Sequence, residues 1–127
     1  MKIAVLIARI LVGLIFSVFG LNGFLNFIPT GTLPSGMAGQ FLTALLQSHY
    51  VMFVCVFQLA GGVLLLVNRY VPLGLALLAP VLANILAYHL FLDRTGFPLA
   101  MVVFLLWGFL FFRYRQYFSG LFVQRTF

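Results

Sequence analysis

The sequence has almost no acidic residues and few charges of either sign. Among its 127 residues Asp93 is the only acidic one, against seven Lys and Arg, and charged residues make up 6% of the chain. Hydrophobic residues make up 65%, and the mean hydropathy is +1.21. A water-soluble domain of this size cannot cover so much apolar surface with so few charges. The composition therefore predicts an integral membrane protein.

Cysteine and histidine are also scarce, which excludes several kinds of site. Cys55 is the only cysteine, so an intramolecular disulfide and a Cys-x-x-Cys redox centre are excluded. There are two histidines, and His49 lies outside the predicted spans, so a bis-histidine haem is not expected. We expect no metal and no intrinsic cofactor. The basic residues flank apolar runs instead of clustering on one soluble face, and a nucleic-acid partner is therefore not expected.

Four apolar stretches are long enough to cross a hydrocarbon core of about 30 Å, which takes roughly 20 helical residues. They cover about residues 10–28, 51–67, 72–92 and 98–112. Between the first two, a shorter stretch at about 37–48 carries Gln40, Thr43 and Gln47 on one helical stripe among apolar residues, with Ser35 as a candidate N-cap. The sequence predicts an all-α protein. Its single domain, residues 1–127, is a four-helix transmembrane bundle with a short amphipathic interfacial helix.

Basic residues indicate how the bundle is oriented. Positive residues near span ends are retained in the cytoplasm, and with four spans six basic residues lie on one side while only Arg94 lies on the other. We therefore expect both termini in the cytoplasm. A cleaved signal peptide is not expected, because the first apolar stretch is too long and no A-x-A site follows it. Arg9 is expected at the inner interface, with its side chain extended toward the headgroups.

Small residues predict two close helix crossings. Gly13, Ser17 and Gly20 form one stripe of the first span, and small side chains let helix backbones approach each other in lipid. In the second span Gly61 and Gly62 share a face with Gln58, whose amide is expected to form an interhelical hydrogen bond.

Polar residues gather in the half of the bundle predicted to be outer, and membrane-embedded polar side chains tend to face a bundle interior or a cavity. The candidate ligand-binding residues are Asn22, Asn26, Gln58, Asn84, His89 and Asp93. Hydrogen bonding between helices is the alternative for the asparagines. Asp93 follows His89 by four residues and is expected to orient its imidazole. Asn84 and His89 point about 140° apart on a regular helix, which leaves open whether they share a pocket.

The stretches "FGLNGFLNFIP" and "FQLAGGVLLLVNRYVPLGLALLAPVLANILAYHLFLD" resemble the DoxX family of small four-helix bacterial membrane proteins, and the likeness runs from about residue 6 to 122. It implies the bundle fold, the bacterial inner membrane, and family-like polar positions at Asn22, Gln58, Asn84 and His89. Relatives often have histidine where this chain has Asn26, so the likeness implies no metal or haem there.

Two functions follow as hypotheses from the resemblance and the polar residues. In the first, the protein is a membrane subunit associated with an oxidoreductase system and binds a quinone-like or other apolar small molecule in its outer half. Asparagine amides and a neutral histidine N–H would donate hydrogen bonds to quinone carbonyls. A redox partner protein would then supply the electrons. In the second, the protein is a non-enzymatic factor that binds lipid or helps another membrane protein assemble. Enzyme activity and a homo-oligomeric state both stay open.

Overall fold

The computed structural model describes residues 2–25 and 32–125, and this part of the chain is all-α. The helices are α1 (Lys2–Leu25), α2 (Gly36–Gln47), α3 (Tyr50–Val67), α4 (Val71–Phe91) and α5 (Phe97–Arg113). Short 3-10 helices cover Arg94–Gly96 and Arg115–Phe122. All of these helices except α2 and the C-terminal 3-10 helix contribute to four segments that are long and apolar enough to cross a membrane. The predicted all-α fold with four spans and a shorter helix between the first two is confirmed.

The ends of α3, α4 and α5 lie within one residue of the predicted span ends. Asn68 follows α3 with a φ of 58°, a left-handed conformation that asparagine tolerates and that ends a helix. Pro72 lies in the first turn of α4, where its missing N–H leaves no hydrogen bond unmade. Helix α1 differs, because it begins at Lys2 and not near residue 10. Its predicted end at residue 28 lies outside the described residues.

The four long helices form a ring in which α1 packs against α3, α3 against α4, α4 against α5, and α5 against α1. Neighbours run antiparallel, since Gly13 lies against Gly62 while Gly20, further along α1, lies against Cys55. Helix α2 packs on α3 at one end of the ring. We call this the α2 end, and the opposite end, where α1 begins and α5 finishes, the terminal end.

Glycines allow both crossings of α3 to be close. A Cβ atom added to Gly62 would lie 2.7 Å from the backbone nitrogen of Ser17 on α1. A Cβ on Gly61 would lie 2.6 Å from Cγ of Leu78 and 3.0 Å from the carbonyl oxygen of Gly74, both on α4. Gly62 thus allows the close approach of α1, and the adjacent Gly61 allows that of α4. The predicted close crossings are confirmed.

The tightly packed core lies toward the terminal end. Its fully buried side chains include Val12 on α1, Leu65 on α3, Leu75 and Leu78 on α4, and Leu110 on α5. The Trp107 indole N–H donates a 3.1 Å hydrogen bond to the Leu75 carbonyl oxygen and joins α5 to α4 at this level. Toward the α2 end, a cavity lies beside this core, between α2, α3 and α4.

Arg9 lies within the packed part of the bundle and has only 8% of its surface exposed. Its guanidinium donates hydrogen bonds to the carbonyl oxygens of Leu65 and Leu66, the latter at 3.4 Å. These oxygens belong to the last turn of α3, where carbonyls lack an intrahelical donor and carry the negative end of the helix dipole. The prediction that Arg9 extends toward the headgroups is therefore wrong, because its side chain donates hydrogen bonds to the free carbonyl oxygens at the end of α3.

Candidate functional site: a lateral cavity at the α2 end

A cavity of about 540 Å³ lies between α2, α3 and α4. That volume is within the usual range for small-molecule pockets, about 300–1,000 Å³. Its apolar and aromatic walls come from Phe41, Leu42, Leu45, Tyr50, Val51, Phe53, Val54, Phe57, Pro80, Val81, Ile85 and Tyr88. Three further polar side chains line it, those of Gln58, Asn84 and His89. The cavity therefore brings together three of the six predicted site residues.

Helix α2 forms the third wall because it is amphipathic. Phe41 and its apolar neighbours face the cavity, and the Phe41 ring lies 5.7 Å from the Tyr88 ring of α4, centroid to centroid. The polar stripe predicted on α2, with Gln40, Thr43 and Gln47, lines a separate shallow groove on the other side. Ser35 occupies the N-cap position as predicted, but its side chain makes no capping hydrogen bond.

Asn84 and Gln58 lie at similar depth on neighbouring helices. Counted at 1.5 Å per residue, Asn84 is about 10 Å from the end of α4 at Phe91, and Gln58 is about 12 Å from the start of α3 at Tyr50. Asn84 Nδ2 donates a 2.8 Å hydrogen bond to the Pro80 carbonyl oxygen one turn earlier, and its Oδ1 makes no bond to a described residue. The predicted interhelical hydrogen bond of Gln58 is absent among the described residues, and its side chain lines the cavity.

His89 lies near the end of α4, about 7.5 Å closer to the α2 end than Asn84. Its Nδ1 is 3.1 Å from the Asp93 carbonyl oxygen, and the Tyr88 ring meets the imidazole edge to face at 5.0 Å between centroids. Gly96 packs over the imidazole, since a Cβ there would lie 2.5 Å from its Cε1. Only a residue without a side chain fits this close approach. The ring is thus held in one orientation by the loop between α4 and α5.

Asp93 orients His89 differently from the prediction. Its carboxylate accepts hydrogen bonds from the Thr95 hydroxyl at 2.6 Å and the Thr95 backbone N–H at 3.1 Å. Both bonds lower the pKa of the Asp93 carboxyl below its ordinary value of 3.8, and the bond from the Thr95 hydroxyl has the larger effect. The carboxylate holds the turn at Arg94–Gly96, and the backbone carbonyl of Asp93 contacts the imidazole.

The remaining candidates do not line the cavity among the described residues. Asn22 is partly buried on α1 and is engaged in interactions of its own. Asn26 lies outside the described residues. His49 is exposed at the start of α3, with a φ of 64°. Tyr50 and Tyr88 also line the cavity but were not predicted from the sequence. Tyr88 could have been predicted, because it is adjacent to His89 and lies on the same helix face as Ile85, three residues earlier.

Neutral hydrogen-bonding groups surrounded by apolar walls can bind an uncharged molecule that has a polar end and an apolar body. Within residues 2–25 and 32–125, no three His, Cys, Asp or Glu side chains lie together as a metal site would require. Comparison of the chain with protein-family models, curated proteins and solved structures gave no match.

Proposed function

We propose that this chain is a multi-pass protein of the bacterial cytoplasmic membrane, similar to the DoxX family, that binds an uncharged apolar small molecule in its lateral cavity. The occupant is a quinone-like molecule or a lipid, and the protein acts as a membrane subunit of an oxidoreductase system. The observation that carries this proposal is the 540 Å³ cavity with Gln58, Asn84 and His89 in its apolar wall.

The chemistry of the wall favours an uncharged occupant. None of the described residues that line the cavity is Asp, Glu, Lys or Arg. A charged headgroup would therefore lose its hydration without gaining an opposite charge, which is costly in an apolar environment. An apolar ring or chain packs against the apolar walls through dispersion contacts, and the amides and imidazole fix its polar end.

Electron transfer in such a system requires a second protein. Cys55 is the only cysteine of the chain, and the sequence has no flavin-binding motif, so the redox centre that exchanges electrons with a bound quinone belongs to a partner. The role of this chain is to bind the small molecule at a fixed depth and orientation.

The cavity opens toward the outer half of the membrane in this proposal, because the α2 end carries few basic residues. Labelling of single cysteines from outside the cell tests this in a Cys55→Ala background. Probes at Thr32 and Thr95, at the α2 end, should react, and probes at Asn68 and Gln124, at the terminal end, should not. Labelling of Gln124 without permeabilisation would reverse the orientation.

Mass spectrometry of a solvent extract tests the binding function. The purified wild-type protein should carry a quinone or a lipid in near-stoichiometric amount. Val54→Trp should abolish this because Val54 lines the cavity. Val56→Trp is the matched control, since Val56 is 50% exposed, lies two residues away on α3 and does not line the cavity. Equal retention by both variants contradicts the proposal, and a lipid in place of a quinone favours the lipid-binding or assembly factor.

A further inference from the structure

We propose that the occupant of the cavity carries a hydroxyl group that donates a hydrogen bond to Nε2 of His89. This inference rests on the proposed binding function and specifies its ligand as an uncharged amphiphile with an O–H group, such as a phenol, a hydroquinone or a long-chain alcohol. A quinone carbonyl, which can only accept hydrogen bonds, fits the same position less well.

The first step is the protonation of the His89 ring. Nδ1 lies 3.1 Å from the Asp93 carbonyl oxygen, and a carbonyl oxygen only accepts, so the hydrogen bond requires a proton on Nδ1. A neutral imidazole has one N–H, and its other nitrogen is then an acceptor. The ring N–H that sequence reasoning assigned to a quinone carbonyl is therefore already used by the backbone.

The second step is the part of the ring left to the ligand. Gly96 packs against the ring, since an added Cβ there would lie 2.5 Å from Cε1, 2.9 Å from Nδ1 and 3.2 Å from Nε2. No residue in the described part of the chain makes a hydrogen bond to Nε2. His89 lines the cavity, and its Nε2 is not among the buried polar atoms that lack a partner, so Nε2 is accessible to an occupant.

The third step is the balance of donors and acceptors along the wall. Asn84 uses one of its two N–H groups on the Pro80 carbonyl, which leaves the other N–H as a donor and Oδ1 as an acceptor, and the Gln58 amide offers two donors and an acceptor. A carbonyl can satisfy a Gln58 donor but leaves Nε2 of His89 unpaired, which is unfavourable away from water. A hydroxyl pairs with Nε2 and still accepts. Among Gln58, Asn84 and His89, His89 lies nearest the α2 end of its helix, so the hydroxyl end of an occupant binds there and its apolar body fills the rest of the cavity.

A matched ligand pair tests the inference directly. Para-nonylphenol and para-nonylanisole have the same ring and chain, and methylation of the oxygen removes only the donor. Binding to the full chain in phosphatidylcholine nanodiscs is measured at pH 8, where histidine side chains are ordinarily neutral, and uptake by empty nanodiscs is subtracted. We expect the phenol to bind five- to thirtyfold more tightly, which corresponds to one hydrogen bond of about 1–2 kcal/mol.

Two variants assign this preference to a residue. His89→Phe should reduce the ratio of phenol to anisole affinity to less than twofold, and Val56→Phe, at an exposed position that does not line the cavity, should retain it. Folding is checked by Trp107 fluorescence. Equal binding of both ligands to the wild type would overturn the inference and leave the proposed function standing, whereas no binding of either would overturn the proposed function too. A preference that persists in folded His89→Phe would also overturn the inference, and if that variant does not fold, the wild-type ratio decides.

Discussion

Gly62→Ala is the sharpest test of how closely α1 and α3 cross. The added Cβ would lie 2.6 Å from Ser17 Oγ, 2.7 Å from the Ser17 backbone nitrogen and 2.9 Å from the Gly13 carbonyl oxygen. Ordinary contact begins at 3.4 Å, so the backbone nitrogen is 0.7 Å too close. A side chain can rotate away from such a contact, but a backbone atom cannot. The two helices must therefore separate by several tenths of an ångström along their interface.

The expected loss of stability is the difference between two effects. Overpacking of a well-packed interface costs about 1–3 kcal/mol. Alanine offsets about 0.5–1 kcal/mol of this, because it loses less conformational entropy in a helix than glycine. Gly62→Ala should therefore lower the free energy of unfolding by up to about 2.5 kcal/mol. Gly108→Ala on α5 is the control, since an added Cβ there meets no atom within 4 Å, and it should raise stability by about 0.5–1 kcal/mol.

Both variants can be compared by titration of detergent-solubilised protein with sodium dodecyl sulfate, followed by far-ultraviolet circular dichroism. The helical signal is preferable to Trp107 fluorescence here, because Gly108 is adjacent to Trp107. The two Gly→Ala substitutions should shift the midpoint in opposite directions. Equal stabilisation by both would refute the reasoning, since it would mean that α1 and α3 leave room for a methyl group at Gly62.

Three further predictions concern polar side chains. Arg9→Met should lower stability by about 2–4 kcal/mol in the same titration, because two carbonyls at the end of α3 lose a charged donor; full stability would contradict the assigned role. Ser17→Ala should leave stability unchanged or raise it by up to about 1 kcal/mol, because the buried Ser17 hydroxyl has no hydrogen-bond partner in the described structure, and a larger loss would contradict this. The lowered pKa of Asp93 means that its carboxylate stabilises the fold fully above pH 3.8, and that this contribution is lost as pH falls through the folded-state pKa. Asp93→Asn should therefore weaken the fall in the unfolding midpoint as the pH drops below 3.8, and an unchanged pH profile would contradict the role of its bonds to Thr95.

The spans could be predicted from the sequence because their signals are local. Apolar length sets the helices, and Asn68 and Pro72 mark where α3 ends and α4 begins. The start of α1 could not be predicted, because a charge at Arg9 normally indicates the membrane surface. Its burial depends on carbonyl oxygens of α3 that lie 56 and 57 residues away in the chain. A hydropathy profile contains no information about such a partner.

Prediction of the cavity also requires knowledge of contacts between residues that are distant in the sequence. Asn84 and His89 are 140° apart on α4, and a site between two helices would have room for only one of them. At 100° per residue Tyr88 lies between them, and the Tyr88 ring is the one that Phe41 of α2 contacts. Because α2 lies across Tyr88, the cavity covers a wide part of the α4 surface, and both Asn84 and His89 line it. The angle derived from the sequence was sound, but its consequence depended on where α2 docks.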